Sequence, residues 1–219
     1  MLDKIIKQLE KEVLHLFKND STGHDIHHLK RTLRLALAIQ AKEGGDRLVI
    51  GVAAFLHDIH RTMQRQAGKF CTPKESLPEV KKILDKTTIS AEHKKKILHV
   101  IEHHEEYGFT KEGKTVHDPE TLIVQDADNL DAIGAIGIGR AFSYGGAYSI
   151  PMWVPNLVYK KKYHDEAVND PSAIHHFQHK ALKLKNNMHT KTAKKMAITR
   201  HKFIELFIKQ FLAEWEQPL

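Results

Sequence analysis

Apolar residues recur along this chain with the period of a helix. Leu2, Ile5, Ile6, Leu9, Val13, Leu16 and Phe17 form a first stripe. A second helix is predicted from Asp25 to Lys42, carrying Leu29, Leu33, Leu37 and Ala41 at four-residue spacing and stopped by Gly44-Gly45. Asp46 to Asp58 forms a third, and its run Val49 to Leu56 is apolar enough to be buried. Pro73-Lys74-Glu75 opens a fourth, running towards Leu84. Ser90 caps a fifth, from Ala91 to about Glu106, with Ile97, Val100, Ile101 and His104 along one side. Asp118-Pro119-Glu120 combines a capping carboxylate, proline at the first helical position and an acid in the first turn, which together start a helix. Phe203, Phe207, Phe211 and Trp215 recur every four residues in the last helix, and that stripe is expected to pack into the core. No alternating run or strand pair interrupts the series, so the predicted fold is all-α. Residues 141–171 hold Gly145, Gly146, Pro151, Pro155 and Pro171 among aromatics, the pattern of a long loop or small lid. No linker and no repeat divides the chain, so residues 1–219 are expected to form a single domain.

Composition narrows the function classes. The chain is 41% hydrophobic and 28% charged, which suits one packed core and not disorder. Cys71 is its single cysteine, so an intramolecular disulfide and a zinc ribbon are excluded. The first residues, Met1 to Lys7, mix charge with apolar positions and lack the core of a signal peptide. No segment is apolar for long enough to span a membrane, and the expectation is a cytoplasmic protein. A formal net charge of +7 favours anionic partners. Much of the excess lies in Lys94-Lys95-Lys96, Lys160-Lys161-Lys162 and Lys194-Lys195, which read as solvated helix faces. Nucleic-acid binding is disfavoured, because basic and aromatic residues are not interleaved as stacking sites require.

The candidate chemistry sits where apolar segments end. The buried run of the third helix ends in His57-Asp58. Upstream lies Gly23-His24-Asp25-Ile26-His27-His28, and downstream Gln125-Asp126-Ala127-Asp128-Asn129-Leu130-Asp131. Imidazole nitrogen with carboxylate oxygen suits a divalent first-row transition metal better than calcium. Taken singly, each residue has a plainer explanation: a histidine on a helix is usually a surface or core residue, Asp58 ends a helix, and Asp128 pairs with a lysine. Together, three helices would bring two imidazoles and two carboxylates to one point, and burying such groups without a cation is costly. His24 and His28 share a face if the second helix already covers His24.

Two glycine patterns are decoys. Gly108 to Thr115 fits G-x-x-x-x-G-K-[ST], but the polar segment Ile101 to Glu106 precedes it in place of a buried strand, and Pro119 follows shortly after. The segment is expected to be an exposed loop. Gly134-Ala135-Ile136-Gly137-Ile138-Gly139 lacks both the strand and the glycine order of a dinucleotide site, and its small residues suit close helix packing.

The order of these segments resembles the HD-domain superfamily of metal-dependent phosphohydrolases. The likeness rests on Gly23 to Arg31, on Ala53-Ala54-Phe55-Leu56-His57-Asp58-Ile59 and on Ile123 to Gly134, and continues through His176-Phe177, Lys180, Leu182, Lys183 and Leu184 to Arg200. It is similar above all to the small single-domain bacterial members. The resemblance implies a compact helical bundle with a metal site between helices. His28, His57, Asp58 and Asp128 match the ligands, with Asp126 as the other candidate in the aspartate run and Asp131 as a cap or an orienting group. Some members hold a second ion through extra histidines, and His104 stands where one would come from. Alarmone-hydrolysing members carry a Glu-Asp pair shortly after the dipeptide, whereas here His60, Arg61 and Thr62 follow.

The expected activity is metal-dependent hydrolysis of a nucleotide or related phosphate ester, releasing phosphate or pyrophosphate. Manganese, nickel, cobalt or iron would be the ion. Asp58, His24 and His104 are the expected catalytic groups, the two histidines moving a proton or holding substrate. Arg61, Lys69, Arg140 and Lys183 are the candidates for neutralising phosphate charge. The competing expectation is a non-catalytic, metal-containing protein that binds a nucleotide and regulates.

Overall fold

A computed structural model describes residues 1–109, 116–159, 165 and 167–216. The glycine-lysine decoy at 110–115 and the lysine cluster at 160–162 lie outside the described residues. No strand occurs among the described residues, and the fold is all-α. Helices α1 (Leu2–Val13), α2 (Ile26–Glu43), α3 (Arg47–Leu56), α4 (Ile59–Ala67), α5 (Pro73–Asp85) and α6 (Ala91–His103) form the first half. Helices α7 (Pro119–Asp131), α8 (Gly134–Ala147), α9 (Ala173–His176), α10 (Leu182–Leu184) and α11 (Lys191–Trp215) form the second.

Local chemistry sets most helix starts. Asp25 caps α2 by accepting from His28 N at 2.8 Å, and Asp46 caps α3 through Leu48 N and Val49 N. Thr72 and Glu75 close a reciprocal capping box around Pro73. Ser90 and Asp118 cap α6 and α7 as their sequence context predicts. Gly44, at φ 87°, ends α2.

Helix α3 is the centre of the molecule. Every residue from Val49 to Leu56 is buried, and the helix packs against α1, α2, α6 and α7. Large side chains such as Ile50 and Phe55 each contribute roughly 1.5–3 kcal/mol by leaving water. Helix α3 stops at Leu56 and the chain turns into α4 at Ile59, so His57 and Asp58 occupy a junction between two helices.

Three expectations need correction. The stripe of Phe203, Phe207, Phe211 and Trp215 is not the buried face of α11: Phe203 and Trp215 are exposed, while Ala193, Ala197, His201, Ile204 and Ile208 are buried. A strict four-residue spacing gains about 40° per step on a 3.6-residue helix, so over three steps the stripe winds roughly 120° off the core. Helix α2 shows the same drift, with Ala41 exposed and Leu29, Thr32, Ala36 and Ile39 buried. Finally, the predicted loop from residue 141 begins later. Helix α8 runs to Ala147, and glycine allows close packing at both ends of it: a Cβ on Gly137 would lie 2.3 Å from the Ala132 backbone, and one on Gly145 would lie 3.2 Å from Ile150 O.

Candidate metal centre and cavity

Four side-chain atoms from three parts of the fold meet at one point. His28 lies in the first turn of α2, His57 and Asp58 at the α3–α4 junction, and Asp128 near the end of α7. His28 Nε2 is 3.1 Å from Asp58 Oδ2, 3.2 Å from His57 Nε2 and 3.4 Å from Asp128 Oδ1. His57 Nε2 is 3.5 Å from Asp58 Oδ1 and 3.7 Å from Asp128 Oδ1.

The plainer explanations do not account for this. Asp58 precedes α4 but its carboxylate makes no capping hydrogen bond. The Asp128 carboxylate lies against His28 and His57. Second contacts set the tautomers. His28 Nδ1 donates to Asp131 Oδ2 at 2.7 Å, and His57 Nδ1 donates to Ala54 O at 2.9 Å. With the rings neutral, both Nε2 atoms therefore present lone pairs to the cluster. Asp131 is itself gripped by the Arg31 guanidinium through two bonds of 2.8 and 2.9 Å.

These residues fit a divalent ion. Ligand bonds of about 2.1 Å place neighbouring ligands roughly 3.0–3.4 Å apart, close to the spacings seen. Oδ2 of Asp58 is buried and accepts no hydrogen bond, although a lone pair of His28 faces it. A cation between them removes that conflict.

The aspartate run divides its work. Asp126 faces away from the cluster and accepts from His189 N, Thr190 N and Thr190 Oγ1 at the start of α11. Asp128 and Asp131 face the cluster side.

A second group adjoins the first. Asp58, His60 and His104 offer ligand atoms that all lie within 4.8 Å of one another. His60 and His104 donate through Nδ1 to His57 O and Ile101 O, and both Nε2 atoms are buried without a hydrogen-bond partner. Burial pushes the His104 pKa down to about 4, so its ring is neutral at pH 7.

The first cluster opens on a cavity of about 140 Å³. Asp58, Asp128 and His24 line it, with Arg61, Arg140 and Lys180 around them. Arg61 Nε stands 4.0 Å from Asp58 Oδ1, and the same guanidinium pairs with Glu105. Arg140 Nη2 is 3.5 Å from His28 Nε2, and its Nε donates to Gly23 O at 2.8 Å. Gly23 has φ 82°, and a Cβ there would touch Arg140 at 3.1 Å, so glycine permits both the turn and the approach. His24 precedes α2 and does not share its face, yet its ring centroid lies 5.8 Å from that of His28. Burial lowers its pKa well below the usual histidine value.

Other expected site residues lie elsewhere. Lys69 is exposed beyond the end of α4, and neither it nor Lys183 lines the cavity. His104 sits behind Asp58 and does not line it either. Glu105, His60 and Lys180 were not singled out for these positions from sequence. His60 had a legible signal, lying two residues past the His-Asp dipeptide, whereas Lys180 had none that distinguished it from Lys183.

The metal-free centre carries a pH signature. Burial opposes a charge on His57, but the Asp58 carboxylate and then Asp128 outweigh it and push its pKa up to about 9. The folded value exceeds the ordinary 6.5, so this contribution to stability is complete below pH 6.5 and disappears as pH rises through about 9. A metal ion bound by His57 would have to displace that proton. Affinity is expected to rise about tenfold per pH unit between these limits, while the melting temperature of metal-free protein falls. Competition titration and thermal melts across the range check this, and a pH-independent affinity contradicts it.

The HD-domain family model matches residues 25–133, a span that holds His28, His57, Asp58 and Asp128. The Bacillus subtilis protein YpgQ is 34% identical over 210 residues, covering 94% of this chain and 92% of its own. The chain belongs to the HD-domain family. Solved structures extend the likeness over the whole molecule. An HD-superfamily hydrolase from Bacillus thuringiensis superposes with a TM-score of 0.71 at 32% identity, covering 100% of both chains. A protein from Lactobacillus plantarum gives 0.81 at 30% identity, covering 98% of this chain and 99% of its own. The crystal structure of YpgQ in complex with ADP gives 0.65 at 29% identity by superposition, covering 99% of this chain and 98% of that one. Among the described residues of this HD-domain protein, no helix is long and apolar enough to cross a membrane.

Proposed function

We propose that this protein is a metal-dependent phosphohydrolase acting on a nucleotide, with His28, His57, Asp58 and Asp128 as the metal ligands. One observation carries the reading: the cluster of donors opens directly on a cavity that also holds two guanidinium groups, those of Arg61 and Arg140. A purely structural ion needs no such opening and no adjoining cations. YpgQ, at 34% identity, binds ADP in its crystal structure, which supports a nucleotide here.

A divalent ion held at the donor cluster would polarise a phosphoryl oxygen and lower the pKa of a bound water. The chain supplies the remainder. Arg61 and Arg140 neutralise charge on the phosphoryl oxygens and hold them beside Asp58 and Asp128. The Thr22 hydroxyl donates to Asp20 at 2.8 Å and lies 3.1 Å from His24 Nδ1, so it accepts the Nδ1 proton. Nε2 of His24 is left with its lone pair, the atom able to accept a proton at the cavity wall. Asp131 and the Arg31 fork keep His28 in its orientation.

The test is a metal analysis of purified protein followed by a nucleotide panel with and without chelator. Chelation is expected to stop release of phosphate or pyrophosphate, and manganese, nickel, cobalt or iron to restore it. Absence of turnover from fully metallated protein favours the regulatory alternative. Undiminished turnover after complete metal removal ends the hydrolytic mechanism.

A further inference from the structure

Helix α9 is continued by a π-helical turn, Phe177–Ala181, before α10 begins. Such turns are rare and concentrate at functional sites. This one decides which lysine reaches the cavity. His176, Lys180 and Lys183 follow the i, i+4, i+7 spacing of one face of a continuous α-helix. The wider turn rotates the residues after it by roughly 90–100°. His176 and Lys180 line the cavity, and Lys183 does not. The Lys180 ammonium lies over the ring of Tyr107, 5.8 Å from its centroid. Tyr107 is 4% exposed and stacks on Phe109, so the face that receives the ammonium is fixed.

The three cavity cations come from three elements: Arg61 from α4, Arg140 from α8 and Lys180 from the π-helical turn. Arg61 and Arg140 approach the donor cluster itself, at 4.0 Å from Asp58 and 3.5 Å from His28. They serve the phosphoryl group held beside the cluster. Lys180 lines the same cavity from the π-helical turn, with its ammonium over the Tyr107 ring. We propose that Lys180 forms a subsite for the next phosphate of a nucleoside di- or triphosphate, and so makes affinity depend on the length of the phosphate chain. This rests on the nucleotide reading above. A charge-assisted contact of this kind is worth about tenfold in affinity or somewhat more.

Calorimetric titration of manganese-loaded protein tests it. The probes are AMP and the α,β-methylene analogues of ADP and ATP, and the nucleotide recovered after each titration is checked to be intact. The wild-type chain is expected to bind the diphosphate about tenfold tighter than AMP. Lys180→Met removes that step and Lys180→Arg restores most of it. Lys183→Met keeps the step intact. Metal content and helical circular dichroism of each variant confirm that centre and fold are preserved. A Lys180→Met protein that keeps the step, or that loses as much affinity for AMP as for the longer probes, overturns the subsite. Failure of wild-type protein to bind any of the three nucleotides refutes instead the nucleotide reading, and the subsite with it.

Discussion

Alanine at His57 or at Asp58 is expected to abolish stoichiometric metal and to reduce hydrolysis by at least about a thousandfold, while the helical fold survives. Both residues are buried and both point at the shared centre, where each provides a donor that no neighbouring side chain replaces. The two variants strain the fold differently. Removing Asp58 takes away the main charge that holds a proton on His57, so burial drives that ring neutral and the stability its raised pKa supplied is lost. Removing His57 leaves two neighbouring carboxylates, Asp58 and Asp128, without the imidazole between them. Asp58→Asn keeps shape and bulk while removing the charge, and separates loss of metal from loss of fold. Elemental analysis, circular dichroism and turnover on the same samples decide the matter. Full metal content in both alanine variants would falsify the ligand assignment.

The second large effect divides the two aspartates of the α7 run. Asp128→Ala is expected to lose metal and, because Asp128 is the lesser of the two charges that hold the His57 proton, to destabilise metal-free protein less than Asp58→Ala does. Asp126→Ala is expected to keep metal and to lose stability by roughly 2–4 kcal/mol. Asp126 accepts three hydrogen bonds of 2.7–2.8 Å from His189 and Thr190, and these fasten α7 to the start of α11. Without the carboxylate, two backbone N–H groups lose their acceptor. Metal titration and melting curves on both variants test this together. Equal metal losses, or a reversal of the two phenotypes, would transfer the ligand to Asp126.

That pair also shows how far sequence reading reaches. Residues two apart on a helix point about 200° apart, so only one of Asp126 and Asp128 faces any given centre. The run itself does not reveal which. The choice follows from packing: α7 lies against α2 and α3 on one side and α11 on the other. The same limit explains the correction at the lysines. Lys180 and Lys183 belong to one face of a regular helix, but Lys180 lies in the π-turn at Phe177–Ala181 and lines the cavity, while Lys183 lies after it and does not.

Much of the architecture is local, and local chemistry is legible. The capping residues Asp25, Ser90 and Asp118, Pro119 at a first turn and Gly44 at a last one mark helix ends by satisfying or interrupting backbone hydrogen bonds within a few residues. The apolar run from Val49 to Leu56 is central because no face of it tolerates water. The residue types of the centre were legible for a related reason: imidazoles and carboxylates at the ends of apolar helices demand a partner. Rotation about each helix axis is another matter. A four-residue apolar spacing drifts round the helix, so the aromatic stripe of α11 lost its outer members, Phe203 and Trp215, to solvent. Which cations enter the cavity was equally a question of rotation and of distance between remote segments. Arg140 reaches His28 across more than a hundred residues of sequence, while Lys69 stays in solvent. The helix starts near Asp25, Asp46, Pro73, Ser90 and Asp118 and the residue types of the candidate centre were thus legible in the sequence, because short-range hydrogen bonding and hydrophobic periodicity encode them. The facing of each helix, and therefore the final membership of the site, was decided by tertiary packing, because it depends on contacts that no local pattern contains.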